Sequence, residues 1–259
     1  HLITNRLTAY LEDNYLTPHT MFGFRSHLSA QDVLLQLKEE GLTQLSSKTK
    51  SAILALDIKG AFDNVSHETI LGGLQYTNGG QSMYDCKQTF LTNRTASLGL
   101  DPNRSVSFSA RPCGTPQGSV ISPLLFNVAM LQLPPLLNRI PGIQHALYAD
   151  DLTIWTTRGS IGEQQDAVQA AVDTTETYLR VRGLSCAANK SALLVLQKRT
   201  QDRKRLHIPD PEVTLHDTPI RKPPHHPRSG LHNTIGRRRH IYGSSSTESS
   251  SSSSSSSSS

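Results

Sequence analysis

Two adjacent acids, Asp150 and Asp151, are the residues of this sequence whose types and spacing are best suited to chemistry. They stand between two short apolar runs, residues 145–148 and 152–155. Two β-type runs that meet at such a pair predict a tight hairpin with both carboxylates at its tip. Because adjacent carboxylates repel each other, a fold that keeps both near its interior usually binds a cation there. An ordinary solvated turn is the alternative, since Asp is common in turns.

A third acid, Asp57, ends the apolar run of residues 52–56, well upstream of the pair. Three carboxylates that converge from two strands would form the oxygen-rich site that Mg²⁺ prefers. Two such ions are a common device for phosphoryl transfer. On its own, Asp57 could equally be a strand-ending acid in a turn, so the surrounding motifs have to decide between these interpretations.

Length and composition exclude several classes of protein. The 259 residues suffice for one sizeable domain or two small ones. We expect no transmembrane helix, because no apolar stretch reaches about twenty residues, and no signal-peptide pattern opens the chain. The cysteines show neither a zinc spacing nor a disulfide framework, which favours a reducing, intracellular compartment, nuclear or cytoplasmic; they are Cys86, Cys113 and Cys186.

The positive charge of the chain is concentrated near its C-terminal end. The formal net charge is +5, and residues 197–243 carry 11 Lys and Arg against 4 Asp and Glu. Residues 1–196 carry 15 against 16 and are therefore close to neutral. Overall basicity is consequently weak support for a body that binds nucleic acid.

The hydrophobic pattern predicts helices and short strands in alternation. Ser29, Ser66 and Ser122 are predicted helix N-caps, the last followed by Pro123 in the first turn. Further helices are predicted at 82–92, at 162–182 and directly after Ser122-Pro123. Strands are predicted at 52–57 and 192–196, a hairpin at 94–112 and a loop at 41–51.

The pattern decays after about residue 200, which defines three expected regions. Residues 1–200 form the predicted folded body. Residues 201–243 are basic and rich in Pro, His and Arg, and we expect them to be irregular. Residues 244–259 are almost all serine and are predicted to be a disordered tail.

Five segments of the chain occur in an order that carries a family signature. They are Phe22–Arg25 with Ser29–Asp32, then Ala55–Asp63, Gly114–Pro123, Tyr148–Asp151 and Gly183–Ser191. In this order they resemble the fingers segment and motifs A, B, C and D of reverse transcriptases, and most closely those of non-LTR, LINE-type retrotransposons. The match covers about residues 5–196, and residues 213–232 resemble the start of the primer-grip hairpin that follows motif D in this family. Group II intron enzymes and telomerase share this palm, but residues 121–155 fit the retrotransposon pattern better.

The resemblance implies roles for the acids and for one lysine. Asp57 and Asp150 would hold two Mg²⁺ ions, with Mn²⁺ as an alternative, assisted by Asp151 and by the backbone carbonyl of Ile58. Lys190 of motif D would donate a proton to the leaving pyrophosphate. A lone lysine is more often simply exposed to solvent, so this assignment stands beside that alternative.

The resemblance also implies a binding site for the nucleotide and the primer. Phe62 would lie beneath the sugar and exclude a ribose 2′-hydroxyl, unless it is an ordinary core residue. Gln117 and Gly118 would line the base and sugar of the incoming nucleotide, and Tyr148 would lie under the primer end. Arg25 would contact the template backbone or order the fingers, with a surface ion pair as the alternative.

The implied protein is an α+β fingers–palm unit of an RNA-directed DNA polymerase, with a small antiparallel sheet backed by helices and the thumb missing. Its partners would be an RNA template, a DNA primer and deoxynucleoside triphosphates; the oligomeric state is left open. A polymerase without a thumb loses most of its hold on the duplex, which comes mainly from electrostatic contacts with the nucleic-acid backbone. We therefore expect the isolated chain to be a weak or inactive polymerase. A non-catalytic remnant that binds nucleic acid through its basic tail is the alternative function.

Overall fold

The computed structural model describes residues 2–43, 45, 50–92, 95–101, 104–109, 111–116, 118–156, 158–197 and 210–223. All of them lie in the first of two units of the chain, His1–Pro223. The predicted serine tail, the arginines at 237–239 and the candidate residue Gln117 lie outside the described residues. Within the described ranges, no helix is both long and apolar enough to span a membrane.

Helices and short strands alternate along the described chain. The helices are α1 (Leu2–Asp13), α2 (Ala30–Gln36), α3 (Ala61–Asn64), α4 (His67–Thr77), α5 (Gln81–Leu91), α6 (Ser122–Met130), α7 (Leu133–Leu137) and α8 (Ile161–Val181), with a π-helical turn at Leu37–Leu42. The strands are β1 (Lys50–Asp57), β2 (Thr95–Asp101), β3 (Arg104–Ser109), β4 (Ile143–Tyr148), β5 (Asp151–Thr156), β6 (Ala192–Gln197), β7 (Thr214–Leu215) and β8 (Thr218–Pro219).

The central sheet has the strand order β4-β5-β1-β6, and all of its neighbouring strands are antiparallel. Side chains alternate between the two faces of a strand. Leu54 and Leu56 of β1 belong to the hydrophobic core, whereas Ala55 between them is exposed. One face therefore packs on the core and the other is open at this point. By the same alternation, Asp57 belongs to the face that carries Ala55.

Helix α8 covers the core face of the sheet, close to where the sequence predicted a helix. A capping box at Ser160 and Glu163 begins it. Its buried face contains Val168, Val172 and Leu179. Gly183 follows the helix with φ +73°, a conformation that glycine adopts at little cost.

Two local predictions differ from the structure. The predicted loop over 41–51 is shorter, because residues 37–42 form a π-helical turn and β1 begins at Lys50; a Cβ atom on Gly41 would lie 3.5 Å from the buried Trp155. Ser122 is the first residue of α6 and not its cap. Its hydroxyl instead donates to the Pro116 carbonyl at 2.8 Å.

The region predicted to be irregular, 201–243, contains a packed hairpin over residues 210–223. Strands β7 and β8 pair there, and Val213, Leu215 and Ile220 are buried. The Leu193 N–H donates to the Arg221 carbonyl at 3.0 Å, which joins this segment to β6. Two-residue strands are too short to show a periodic pattern in the sequence. The hairpin conformation of this segment therefore depends on burial against the rest of the fold, which the sequence pattern does not reveal.

His145 on the core face of β4 gives the fold a predicted dependence on pH. Its ring is 2% exposed and lies 3.0 Å from the Thr20 hydroxyl. Burial lowers the pKa of His145 from 6.5 to about 4, with a smaller contribution from the nearby His19. The unfolded chain takes up this proton near pH 6.5 and the folded chain only near pH 4. The stabilisation is therefore complete above pH 6.5 and is lost as the pH falls toward 4.

We expect the free energy of unfolding to fall by about 2–3 kcal/mol between pH 7 and 4.5 through this residue, since each pKa unit is about 1.4 kcal/mol. Urea unfolding at both pH values measures it. His145→Gln should flatten the pH dependence by that amount, whereas His27→Gln, at an exposed histidine, should leave it unchanged. Equal pH dependence in all three proteins would contradict the prediction.

Candidate active site

The predicted hairpin carries the acid pair at one end of the central sheet. Strands β4 and β5 pair up to Tyr148 and Asp151, so Ala149 and Asp150 form a two-residue loop. Ala149 has φ +56°, a region that costs a residue with a side chain about 1 kcal/mol or more. The tight loop fixes both acids at the end of the sheet, as the sequence predicted.

Strand pairing brings Asp57 to the same place. Asp57 lies directly opposite Asp151 in the antiparallel pair of β1 and β5, and residues so paired share a face of the sheet. The Ile58 N–H donates to the Asp150 carbonyl at 3.1 Å. The three acid-bearing positions therefore meet at one end of the sheet, and Asp57 and Asp151 share the face that carries Ala55.

The three carboxylates differ in their surroundings. Asp57 is 4% exposed, whereas Asp150 and Asp151 are partly buried. The Lys190 ammonium lies 3.3 Å from Asp57 Oδ2, and its side chain is 60% exposed. Asp57 therefore combines a buried position with a neighbouring cation.

The acids are adjacent but do not form a closed metal cage. Among the described residues, no three His, Cys, Asp or Glu side chains are grouped closely enough to hold a metal ion by themselves. The backbone positions of the three acids converge as predicted, but their side chains do not form a cluster of three. Two causes act against such a cluster: the carboxylates repel each other, and one oxygen of Asp57 faces Lys190.

This donor set nevertheless suits magnesium. Mg²⁺ takes hard oxygen ligands and is usually held by one or two carboxylates together with substrate phosphates and water. Carboxylates and a backbone carbonyl at the end of the sheet supply such oxygens, and a complete protein cage is not required. Asp57, Asp150, Asp151 and the carbonyl of Ile58 are the groups that could hold such an ion.

The motif D segment, residues 183–191, is tied to the end of β1. The Ala187 N–H donates to the Asp57 carbonyl and the Lys59 N–H donates to the Ser185 carbonyl, both at 2.8 Å. Burial raises the pKa of the Cys186 thiol to about 12, helped by the negative charges of Glu176 and Asp57. Cys186 therefore stays a neutral thiol, and the segment places Lys190 beside Asp57.

The fingers segment, residues 22–32, packs directly on the acid-bearing loop. The Phe22 N–H donates to the Leu147 carbonyl at 2.8 Å. A Cβ atom on Gly23 would lie 2.3 Å from the Ala149 nitrogen, so only glycine fits between these backbones. The buried Asn127 amide donates to the Gly23 carbonyl at 2.7 Å. Our sequence reasoning missed Asn127, although a lone amide within the apolar run of α6 is a recognisable signal.

Arg25 is engaged within the protein. Its Nε and Nη2 donate to the two carboxylate oxygens of Glu12 at 2.8 and 2.6 Å. Its Nη1 donates to the carbonyls of Pro18 and Met21. The structure therefore shows the ion pair that was the alternative interpretation of Arg25, with Glu12 as its partner. This geometry favours ordering of the fingers segment over contact with a template.

The candidate nucleotide-binding residues lie on several different elements. Phe62 is partly buried, and its ring centroid lies 6.0 Å from that of Phe24 and 5.0 Å from that of Phe126. Tyr148 is partly buried at the end of β4, and Gly118 is exposed with φ +82°. The aromatic cluster fixes the Phe62 ring between the fingers segment and α6.

A small antiparallel sheet with acids at the ends of its central strands, backed by helices, defines the palm of a nucleotide polymerase. The chain belongs to the reverse transcriptase family, because the family model described as reverse transcriptase (RNA-dependent DNA polymerase) matches residues 1–221. This confirms the family resemblance stated from the motifs. Enzymes of this family use divalent metal ions.

Relatives from mobile elements refine this assignment. The chain is 29% identical over 206 residues to the RNA-directed DNA polymerase from mobile element jockey of Drosophila funebris, which covers 78% of this chain and 22% of the relative. It is 25% identical over 225 residues to the probable RNA-directed DNA polymerase from transposon X-element of Drosophila melanogaster, covering 86% and 24%. The chain therefore spans about a quarter or less of these relatives, and it is of the non-LTR retrotransposon type.

Solved structures confirm the expected α+β fingers–palm fold. Apo telomerase from Candida tropicalis, truncated from its C-terminal domain, has a TM-score of 0.57 at 11% identity and covers 83% of this chain and 41% of that one. Telomerase from the same species in complex with a fragment of telomeric RNA has a TM-score of 0.55 at 12% identity, covering 75% and 32%. The likeness shows a shared fold.

Proposed function

We propose that the chain is the catalytic palm of an RNA-directed DNA polymerase that adds deoxynucleotides to a DNA primer on an RNA template. The observation that carries the proposal is the pairing of Asp57 with Asp151 on one face at the end of the sheet, with the Asp150 carbonyl accepting from the Ile58 N–H. Asp150 and Asp151 are partly exposed at this end of the sheet, where a primer–template duplex would bind.

The acids would hold two magnesium ions. Asp57, Asp150, Asp151 and the Ile58 carbonyl would be their ligands; such ions supply a lowered pKa for the primer 3′-hydroxyl and charge neutralisation for the triphosphate. Lys190, whose ammonium lies 3.3 Å from Asp57 Oδ2, would hold a proton for the leaving pyrophosphate.

The remaining candidates would bind and orient the substrates. Phe62 would lie beneath the sugar, with Gln117 and Gly118 along the base and sugar. Tyr148, which pairs with Asp151 across the hairpin, would support the primer end. Each side chain would act by position, because reaction requires the attacking oxygen and the α-phosphate in line.

Single-nucleotide addition tests the proposal. The chain is incubated with a primer on an RNA template, magnesium or manganese, and one deoxynucleotide. We expect slow, salt-sensitive, non-processive addition, because residues 1–196 are nearly neutral and grip on nucleic acid is electrostatic. Asp150→Asn should remove the activity. Absence of addition by the folded chain, or equal addition by Asp150→Asn, would reject the proposal; binding without synthesis would favour the non-catalytic alternative.

Phe62→Val is expected to weaken the exclusion of ribonucleotides. Its ring is held by Phe24 and Phe126, and a smaller side chain leaves room for a 2′-hydroxyl. The ratio of kcat/KM for a deoxynucleotide to that for its ribonucleotide should fall about 10- to 200-fold, the range of a changed hydrophobic contact. Phe90→Val, at a partly buried phenylalanine on α5, is the control and should keep the ratio. An unchanged ratio in Phe62→Val would show that Phe62 only packs.

A further inference from the structure

His67 links the beginning of α4 to the motif B segment, residues 114–123. Its Nε2 lies 2.9 Å from the Gly114 carbonyl oxygen. A carbonyl oxygen can only accept a hydrogen bond, so the Nε2 atom of His67 carries the proton and donates it. His67 is the first residue of α4, where Ser66 is the N-cap, and its ring is partly buried.

Backbone hydrogen bonds join the same two stretches of chain. The Gly114 N–H donates to the Val65 carbonyl and the Thr115 N–H donates to the Phe62 carbonyl, both at 2.7 Å. The His67 N–H donates to the Pro112 carbonyl at 3.2 Å. Residues 112–115 therefore lie against residues 62–67, and the ring of His67 adds a side-chain hydrogen bond to these backbone contacts.

Gly114 is held closely at this contact, whereas Gly118 is not. Gly114 has φ +83°, and a Cβ atom there would lie 2.8 Å from the Asp63 carbonyl oxygen. Gly118 is exposed, and nothing lies within 4 Å of where its Cβ would be. The start of motif B is thus fixed against the residues that follow Asp57, and Ser122 of α6 holds the Pro116 carbonyl from the other end of the segment. The exposed Gly118 lies between these two attachments.

We propose that His67 is a positioning residue for the incoming nucleotide: it holds Gly114, and with it the start of the motif B segment, against the stretch of chain that contains Phe62. The inference rests on the proposed function, because it assigns the nucleotide to the space between Phe62 and Gly118. The ring of Phe62 would contact the sugar, and the backbone carbonyl of Phe62 accepts a hydrogen bond from the Thr115 N–H. Residues 62–67 would therefore position both the sugar contact and the start of motif B. His67 keeps these two elements in register without touching the substrate.

Loss of the His67 ring should loosen the start of motif B and weaken nucleotide binding. One net hydrogen bond corresponds to about a threefold to tenfold change in an equilibrium constant. In His67→Ala, amide hydrogen exchange at Gly114 and Thr115 should be about three- to tenfold faster, and KM for the deoxynucleotide should rise by about the same factor with little change in kcat. His67→Gln, whose amide also donates a hydrogen bond, should restore both quantities toward those of the parent.

Glu68→Ala is the matched control. Glu68 is the exposed neighbour of His67 in the first turn of α4, so its removal weakens the helix start without touching motif B. Unchanged exchange in His67→Ala, the same acceleration in Glu68→Ala, or an unchanged KM despite faster exchange would each overturn the proposal. If the parent chain adds no nucleotide, the proposed function fails, while hydrogen exchange alone still decides whether His67 holds Gly114.

Discussion

Replacing Asp57 with asparagine is expected to lower the rate of nucleotide addition by about a thousandfold or more while the chain stays folded. A carboxylate that holds a divalent cation contributes several kcal/mol to transition-state stabilisation, and each 1.4 kcal/mol is about tenfold in rate. Asparagine keeps the shape of the side chain and removes its charge. The loss should appear in kcat, since the interaction acts mainly in the transition state.

The fold should tolerate this change. Asp57 is 4% exposed, so a neutral amide avoids the desolvation of a buried charge, and its partner Lys190 is largely in solvent. Single-turnover addition and thermal melting measure the two effects separately. Asp166→Asn, at an exposed carboxylate on α8, should match the parent in both. A rate in Asp57→Asn above one tenth of the parental rate would refute the assignment of Asp57 to the metal.

Gly23→Ala is expected to damage both the stability and the activity of the chain. The added Cβ would lie 2.3 Å from the Ala149 nitrogen and 3.1 Å from its Cα. These are backbone atoms, so no side chain can rotate away, and the loop that carries Asp150 has to shift. Overpacking of this kind costs about 1–3 kcal/mol, which corresponds to a fall in Tm of roughly 2–12 °C at this chain length.

Displacement of the loop should also reduce nucleotide addition by about a hundredfold, because misplacement of a catalytic group by about 1 Å has effects of that size. Gly72→Ala provides the matched control: Gly72 lies within α4, and nothing lies within 4 Å of its Cβ position. Alanine there should raise stability by about 0.5–1 kcal/mol. If Gly23→Ala and Gly72→Ala melted at the same temperature, the close contact of the fingers segment would be wrong.

The sequence predicts the acid-bearing part of the molecule well because its signals are local. Apolar runs that are bordered by acids indicate β1, β4 and β5. The capping box and the apolar face with helical spacing indicate α8. Antiparallel pairing of these strands then brings the acids to one end of the sheet. The family resemblance added that the sheet is small and antiparallel, but the strand order β4-β5-β1-β6 was not predicted, because periodicity does not give it.

Partners that are distant in the chain could not be predicted in this way. Arg25 binds Glu12 of α1, and His67 binds Gly114; neither pair has a spacing that a helix or strand would produce. The direction of each carboxylate depends on nearby charges such as Lys190, and the burial of residues 210–223 depends on β6 and α8. These features arise from tertiary packing, so a single sequence carries little trace of them.

Asp57 and Asp151 lie on two adjacent central strands, β1 and β5. Residues of these strands that point inward, such as Leu54, Leu56 and Leu152, belong to the hydrophobic core. Regions of this kind open only at a free-energy cost close to that of global unfolding. Thermal or mutational weakening of this core would therefore reduce the number of competent molecules rather than slow each one. Titration of active sites would separate these two outcomes, with the turnover of every surviving molecule unaltered.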